Sequence, residues 1–193
     1  MVKYTLKRTE KAPFDLKADK IPPMIVVKDD TKPDMMKRNK RRLWRVLCRH
    51  PYKLTGEEKR IIIAVAMQET QHMDISEHDG DKESLSTNVS ILNINYDMLH
   101  KLGYRGKNFG EALNRPAGLK TAVSYATKAM RTWTAKKFLD FHRGGRTGFD
   151  DPRLLGTQEY RNAIAAMMPL LRDNVALASK NDKRIQIDVE HLN

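Results

Sequence analysis

The 193-residue sequence contains one cysteine, Cys48, and no long apolar run. A single cysteine excludes an internal disulfide framework, and it also excludes the usual structural zinc modules, which need at least two. No apolar segment approaches the ~18 residues of a membrane-spanning helix. Aromatic residues are few, at 7%, whereas charged residues make up 31%. This composition indicates a soluble, mostly helical protein with one domain.

The N-terminal residues Met1 to Arg8 lack the apolar stretch of a secretory signal peptide. We therefore expect a protein that is made in the cytoplasm and stays there, one that leaves it by a route that needs no signal peptide, or one whose signal has already been removed.

The net charge of +12 is concentrated in the N-terminal third of the chain. Residues 1–60 carry 18 Lys and Arg against 8 Asp and Glu, while residues 61–193 carry 18 against 16. The densest run extends from Lys37 to Arg49, with seven basic residues and no acidic one. Such a run could bind a polyanion, namely nucleic acid, an anionic cell wall or a membrane surface. The alternative is a solvated helix face without a ligand. The candidate polyanion-binding residues are Lys37, Arg38, Lys40, Arg41, Arg42, Arg45 and Arg49.

The pattern of prolines, glycines and apolar residues divides the chain into three parts. Residues 1–33 form an extended N-terminal arm with one short strand at Met24–Val27, residues 34–180 form the helical domain, and residues 181–193 form a polar tail with a small strand at Ile185–Ile187. Helices are predicted over residues 34–49, 56–73, 96–102, 109–113, 116–141 and 157–179.

Local signals mark the ends of these elements. Thr55 and Glu58 have the spacing of a capping box, which begins the second helix. The acidic segment 74–83 has no apolar period and is predicted to be a loop. The run Gly144–Gly148 is expected to break the chain, and Pro169 is expected to bend the last helix.

Glu69 is the most informative residue of the sequence. It follows the apolar run Ile61–Met67, whose residues fill almost every face of a helix, as is typical of a buried helix. A carboxyl group on such a helix is expected to have a raised pKa, because burial disfavours its charged form. A raised pKa suits a general acid near neutral pH. The alternative is a structural glutamate that reaches solvent at the helix end.

Three further segments follow Glu69 in a recognisable order: Ser90–Asn95 before a short helix, Phe141–Gly148 after a long one, and Tyr160–Ile164. Together with Glu69 they resemble the lysozyme-like superfamily, most closely the soluble lytic transglycosylases and goose-type lysozymes. The resemblance covers roughly residues 57–168. It implies a mainly α, lysozyme-like helical domain with a minor β element, to which the extended basic N-terminal arm is added.

The resemblance also implies roles for individual residues. Glu69 takes the place of the catalytic acid, and substrate-binding places fall on Ser90, Asn93, Asn95, His142, Gly144 and Tyr160. Asn93 and Asn95 are expected to hydrogen-bond acetamido groups of the substrate, although both could equally be turn-forming residues. The sequence departs from the family pattern at Thr70, Ser90, Asn93 and His142, where serine, glycine, glutamine and tyrosine are usual.

The implied reaction is the cleavage of a β-1,4-linked amino-sugar polymer, peptidoglycan or a chitin-like glycan. Glu69 donates a proton to the glycosidic oxygen, and a second carboxylate can assist from across the cleft. The acidic loop offers Asp74, Glu77, Asp79, Asp81 and Glu83 for that role, and the alternative is a solvated loop that takes no part in catalysis. The resemblance also allows a single-acid mechanism, as in a lytic transglycosylase, in which the substrate closes its own ring.

Other chemistries find little support in the sequence. Glu69 and His72 form half of a di-iron signature, but no second Glu-x-x-His is present, so neither metal nor other cofactor is expected. There is no nucleophile elbow and no phosphate-binding glycine loop.

Three hypotheses follow from these observations. The first is a wall-degrading glycosidase or lytic transglycosylase, carried in a phage or virion or delivered to the cell wall without a signal peptide. The second is a lysozyme-fold protein that has lost catalysis and binds or builds a virion or effector. The third is a nucleic-acid-binding protein that uses the basic run Lys37 to Arg49, with affinity that falls steeply with salt.

Overall fold

The structure is a computed structural model that describes residues 2–4, 24–28, 33–49, 51, 53–70, 73, 88–105 and 116–186. The helices of these residues are α1 (Pro33–Cys48), α2 (Gly56–Glu69), α3 (Tyr96–Lys101), α4 (Pro116–Thr132), α5 (Ala135–Asp150), α6 (Leu155–Asp173) and α7 (Val175–Ser179). The strands are β1 (Val2–Tyr4), β2 (Met24–Lys28), β3 (Asn88–Val89), β4 (Ile94–Asn95) and β5 (Lys183–Gln186). The predicted mainly helical fold with a minor β element is confirmed.

Several predicted features lie outside the described residues. They are His72, the acidic loop 74–83, the short helix 109–113 and the tail beyond residue 186. Within the described ranges, no helix is both long enough and apolar enough to span a membrane.

Helix α2 is the centre of the hydrophobic core. Every residue from Ile61 to Met67 is buried, as the sequence predicts for a helix that is apolar on all faces. Neighbouring elements α1, α4, α6 and β5 pack around it. The capping box is present, because Thr55 Oγ1 accepts from the Glu58 backbone N–H at 3.1 Å and the Thr55 backbone N–H donates to Glu58 Oε2 at 2.7 Å. The start of the helix is therefore fixed by local sequence.

Two short strands from opposite ends of the chain lie side by side. Strand β2 pairs antiparallel with β1 and with β5, in the order β1-β2-β5, with Val26 opposite Ile185. The predicted strands near Met24–Val27 and Ile185–Ile187 are confirmed, whereas β1 was not predicted. The arm and the tail of the sequence thus contribute all three strands of one sheet, which packs on α2 through β5.

Helix α1 packs one side against the core and exposes the other. Its buried positions are Met36, Lys40, Leu43 and Leu47, at helical spacings of four, three and four residues. The Nζ of Lys40 donates to Asn181 Oδ1 at 2.9 Å and to the Lys183 carbonyl oxygen. Lys40 must therefore be removed from the predicted polyanion-binding set, because its ammonium group is buried and hydrogen-bonded inside the protein.

Some predicted helix ends are wrong. Helix α2 ends at Glu69 rather than near Met73, because Thr70 is extended and its Oγ1 donates to the Ala66 carbonyl at 3.2 Å. The predicted helix 116–141 is two helices, since Thr134 caps a new one by accepting from the Lys137 backbone N–H at 3.2 Å.

The C-terminal helices also differ from the prediction. The run Gly144–Gly148 does not end α5: the helix kinks at Gly145, whose φ of 57° favours glycine, and then continues to Asp150. The last predicted helix stops at Asp173, where Asn174 caps the separate helix α7 through its side-chain oxygen.

Helices α5 and α6 approach each other closely. A Cβ built on Gly144 would lie 2.8 Å from Thr157 Oγ1 of α6, and one built on Gly148 would lie 3.1 Å from the same oxygen. The Cβ on Gly148 would also lie 2.5 Å from the Asp140 carbonyl oxygen, which belongs to α5 itself on the other side of the kink. The buried Asp140 carboxylate accepts from Arg161 across the same interface. The missing side chains at these two glycines allow α5 and α6 to pack at this distance.

Candidate active site

Glu69 lies at the C-terminal end of α2, where the buried helix meets three other elements. The residue after it, Thr70, leaves the helix, and the Thr70 carbonyl oxygen accepts from Arg184 Nη1 of β5 at 3.1 Å. The helix end is thus held both from within, by the Thr70 hydroxyl, and from outside, by an arginine 114 residues further along the chain. The Glu69 side chain is 13% exposed, so its carboxylate is largely screened from water.

Polar side chains from three elements surround the Glu69 carboxylate. Asn93 Nδ2 donates to Oε2 at 3.0 Å, and His142 Nε2 lies 3.3 Å from Oε1. The Tyr160 hydroxyl also lies within interaction range; it is not aligned for a hydrogen bond, yet it contributes to the electrostatics of the carboxyl group. A single carboxylate is thereby held in a fixed position among potential proton donors.

Asn93 reaches Glu69 from the turn between β3 and β4. The turn is closed by the Asn93 backbone N–H, which donates to the Ser90 carbonyl at 2.9 Å. Both residues have positive φ, 67° at Ser90 and 49° at Asn93. Asparagine tolerates this left-handed conformation better than most residues, whereas Ser90 occupies the place where the resembling family has glycine.

His142 lies on α5 between two aromatic rings. The ring centroids of Phe138 and Tyr160 are 5.6 Å and 5.7 Å from that of His142. The side chain of His142 is 1% exposed. The close approach of α5 and α6 at Gly144 and Gly148 is what brings His142 and Tyr160 to the same side of Glu69.

The electrostatics of Glu69 correct the prediction made from the sequence. Burial alone would raise its pKa, but the interaction of the carboxylate with His142, followed by those with Tyr160 and Asn93, outweighs burial and lowers the pKa from 4.5 to about 2. The expected raised pKa is therefore wrong for the free protein. The helix was visible in the sequence as a buried element, while the donors come from segments 24 to 91 residues away. In the free protein Glu69 is ionised at neutral pH.

Tyr160 is fully enclosed beside this carboxylate. Burial, together with the negative charge of Glu69, raises the pKa of the Tyr160 phenol well above 10. The phenol is therefore neutral at any working pH and can act only as a hydrogen-bond donor or acceptor in the site.

The other predicted substrate-binding residues have local structural contacts. Asn95 Oδ1 accepts from the backbone N–H groups of Asp97 and Met98, at 3.0 Å and 3.4 Å, and so caps α3. Ser90 Oγ accepts from the Leu92 backbone N–H at 3.2 Å within the turn. Gly144 packs against Thr157. Of the six, the structure places Asn93, His142 and Tyr160 beside Glu69.

Arg184 is the residue that sequence reasoning missed. It stands on a short strand in the predicted tail, and no local signal connects it to α2. The strand predicted at Ile185–Ile187 could have indicated that this segment lies at the edge of a sheet. It could not have indicated that the segment contacts the end of α2.

Within the described residues, no cluster of three or more His, Cys, Asp or Glu side chains could hold a metal ion.

A largely buried carboxylate that is surrounded by donors at the end of a core helix is suited to proton transfer at a glycosidic bond, which is the chemistry of the glycosidases. Residues 54–189 match glycosyl hydrolase family 134. The match covers more than half of the chain, and the protein belongs to this family. It spans every element from α2 to β5, including all four side chains of the Glu69 site. No curated protein matches the sequence.

Proposed function

We propose that the protein cleaves a β-1,4-linked glycan, with Glu69 as its general acid and base, and that amino-sugar polymers, peptidoglycan first, are its substrates. The observation that carries the proposal is the Glu69 carboxylate, fixed by Asn93 at 3.0 Å and by His142 at 3.3 Å in a member of a glycosidase family. Support for an amino-sugar polymer comes from the lysozyme-like order of the sequence segments and from the basic α1, which suits an anionic wall.

The chemistry requires one proton on the leaving oxygen and one nucleophile at the anomeric carbon. Glu69 protonates the glycosidic oxygen, the C–O bond breaks with its electron pair on that oxygen, and an oxocarbenium-like centre is left on the sugar. In hydrolysis a water molecule adds to that centre and gives one proton to the ionised Glu69, which acts as the base. In a transglycosylase a hydroxyl of the substrate adds instead and gives its proton to Glu69, and the fragment then ends in an anhydro sugar.

The test is a panel of purified glycans incubated with the wild-type protein. Peptidoglycan and chitin oligomers represent the amino-sugar class, and β-1,4-linked polymers of glucose, mannose and xylose represent the neutral class. Soluble reducing ends and mass analysis of the fragments report cleavage and separate hydrolysis from transglycosylation. Cleavage of the amino-sugar polymers supports the proposal in full.

The remaining outcomes are equally informative. If the protein cleaved only a neutral polymer, the role of Glu69 as general acid and base would stand, but the proposed substrate class would be overturned. Failure to cleave any member of the panel between pH 4 and pH 9 would contradict the enzymatic proposal and favour a binding role for the same fold.

A further inference from the structure

The state of Glu69 in the free protein poses a chemical problem for the proposed function, on which this inference rests. A general acid must carry a proton when the leaving oxygen needs one. Glu69 is ionised in the free protein, because the surrounding donors lower its pKa to about 2. A second group must therefore hold the proton at neutral pH and give it to Glu69 during the reaction.

His142 is placed to be that second group. Its Nε2 lies 3.3 Å from Glu69 Oε1, and its ring is held between Phe138 and Tyr160. Among the described residues, neither Nδ1 nor Nε2 has an aligned hydrogen-bond partner. A buried imidazole whose two nitrogens both lack an aligned hydrogen-bond partner calls for an explanation. Catalytic hydrogen bonds are often long or poorly aligned without substrate and tighten in the complex.

The other groups that face Glu69 cannot supply a proton. Tyr160, from α6, has a phenol whose pKa is raised well above 10, and Asn93, from the β3–β4 turn, is neutral. Arg143, on α5, acts on Tyr160, and Arg184, on β5, binds the Thr70 carbonyl; both guanidinium groups keep their charge at any working pH. Imidazole is the side chain that gains and loses a proton near neutral pH.

We infer that His142 supplies the proton that Glu69 delivers to the glycosidic oxygen, and that a bound glycan triggers the transfer by excluding water from the pair. A charged pair loses its solvation when water leaves, so a dry site favours the neutral pair over imidazolium and carboxylate. Binding of the glycan thus converts an ionised Glu69 into the protonated acid. His142 acts through Glu69 and is a positioning residue for its proton.

The proton balance of the cycle is complete. The N–H bond at His142 Nε2 breaks and an O–H bond forms at Glu69 Oε1; that O–H bond then breaks as the proton moves to the leaving oxygen. The water that adds to the anomeric carbon gives one proton to the ionised Glu69, which now acts as the base. Once the product leaves and water re-enters the site, this proton moves from Glu69 Oε1 back to His142 Nε2, and the starting pair is restored.

Two variants of His142 test the inference. His142→Gln keeps a polar side chain that cannot be charged, and His142→Phe keeps an aromatic ring between Phe138 and Tyr160. His100→Gln is the matched control, because the His100 ring packs edge-on against Tyr96 and Tyr104 and is not one of the groups described beside Glu69. The readouts are the pH profile of kcat and KM on the glycan that the wild type cleaves best, with circular dichroism to confirm folding.

The expected result is a loss of about 10²–10⁴-fold in kcat at neutral pH with little change in KM, since only proton transfer is impaired. In addition, the alkaline limb of the profile shifts to lower pH in both variants, because the proton must then reside on Glu69 alone. His100→Gln keeps the wild-type limb. An alkaline limb that stays in place in His142→Gln and His142→Phe would overturn the inference, whatever the loss in rate.

A titration without substrate separates this inference from the proposed function. Carbon NMR of ¹³C-labelled protein follows the Glu69 carboxyl group as the pH is lowered. We expect its titration midpoint to rise in His142→Gln and His142→Phe relative to wild type, because the contribution of His142 to the low pKa is removed. An unchanged midpoint shows that the two groups do not share a proton, even if the protein cleaves no glycan in the panel.

Discussion

At the scale of single residues, Asn93 shows how one side chain serves both the backbone and the site. Its φ of 49° closes the turn between β3 and β4, and its amide donates to Glu69 Oε2 at 3.0 Å. These two roles can be separated experimentally, because glycine adopts a positive φ without cost while alanine does not.

The prediction concerns Asn93→Gly and Asn93→Ala. Both variants raise the pKa of Glu69 from about 2, because each removes a donor to the carboxylate. Asn93→Ala is also less stable to unfolding than Asn93→Gly by about 1 kcal/mol, the usual cost of the left-handed conformation. Carboxyl NMR titration and denaturant unfolding check the two effects. An alanine variant as stable as the glycine variant would contradict the positive φ at this position.

The residue scale also shows what the sequence reveals about Glu69. Burial of the helix that carries it follows from the apolar run Ile61–Met67 and is confirmed. The direction of the pKa shift depends instead on Asn93, His142 and Tyr160, whose distances from Glu69 are fixed only by tertiary packing. An argument from burial alone, which leaves out these side chains, therefore predicts a shift of the Glu69 pKa in the wrong direction.

At the scale of secondary-structure elements, the contact between α5 and α6 positions His142 and Tyr160. Gly148 lies at this contact, where a Cβ would meet Thr157 Oγ1 of α6 at 3.1 Å and, across the kink within α5, the Asp140 carbonyl oxygen at 2.5 Å. A backbone oxygen cannot move aside as a flexible side chain can.

The corresponding prediction is that Gly148→Ala destabilises the protein by about 1–3 kcal/mol and also lowers kcat, because overpacking distorts the kink of α5 and displaces α5 from α6. Gly156→Ala is the control on the same helix pair. No atom lies within 4 Å of its Cβ position, so the substitution is neutral or stabilises α6 by up to about 1 kcal/mol. Thermal unfolding and glycan cleavage are measured for both. Equal stability of the two variants would contradict the close packing described for α5 and α6.

Elements with strong local signals were predicted well, and those without them were not. The capping box at Thr55 and Glu58 fixed the start of α2, and Gly103, with a φ of 91°, follows the end of α3 as predicted. The break between α4 and α5 was missed, because Trp133 continues the apolar period and neither glycine nor proline marks Thr134. Gly145 was taken as a break although a single glycine can kink a helix that tertiary contacts then continue.

At the scale of the whole molecule, Lys40 connects the first helix to the last strand. Its ammonium group lies 2.9 Å from Asn181 Oδ1, 141 residues later in the sequence. Burial lowers the pKa of Lys40 from 10.5 to about 7, partly offset by the charge of Asp182. The position was predictable in principle, since Lys40 falls on the apolar side of α1 with Met36, Leu43 and Leu47.

This pKa gives the stability of the protein a defined pH dependence. Below pH 7, Lys40 is protonated in both the folded and the unfolded chain. Between about pH 7 and 10.5 the unfolded chain binds the extra proton, so the free energy of unfolding rises with pH, with a slope of up to about 1.4 kcal/mol per pH unit from this residue. In Lys40→Met this contribution is absent. Denaturant unfolding of wild type and Lys40→Met from pH 7 to 10 checks this dependence. If the free energies of unfolding of the two proteins changed with pH in parallel, a buried, neutral Lys40 would be contradicted.

The exposed side of α1 carries the other residues of the predicted polyanion-binding set. Arg38, Arg41, Arg45 and Arg49 are exposed, while Lys37 and Arg42 are partly so. Binding of a polyanion there stays a prediction, separate from cleavage at Glu69.

The central claim is that Glu69 performs the chemistry, and the most direct measurement is kcat for reducing-end release by wild type, Glu69→Gln and Glu57→Gln. Glu57 is an exposed glutamate in the first turn of the same helix, so its variant makes the same chemical change away from the site. We predict that Glu69→Gln folds and loses about 10²–10⁴-fold in kcat, while Glu57→Gln stays within about 2-fold of wild type. A folded Glu69→Gln protein with wild-type kcat would contradict the assignment of Glu69.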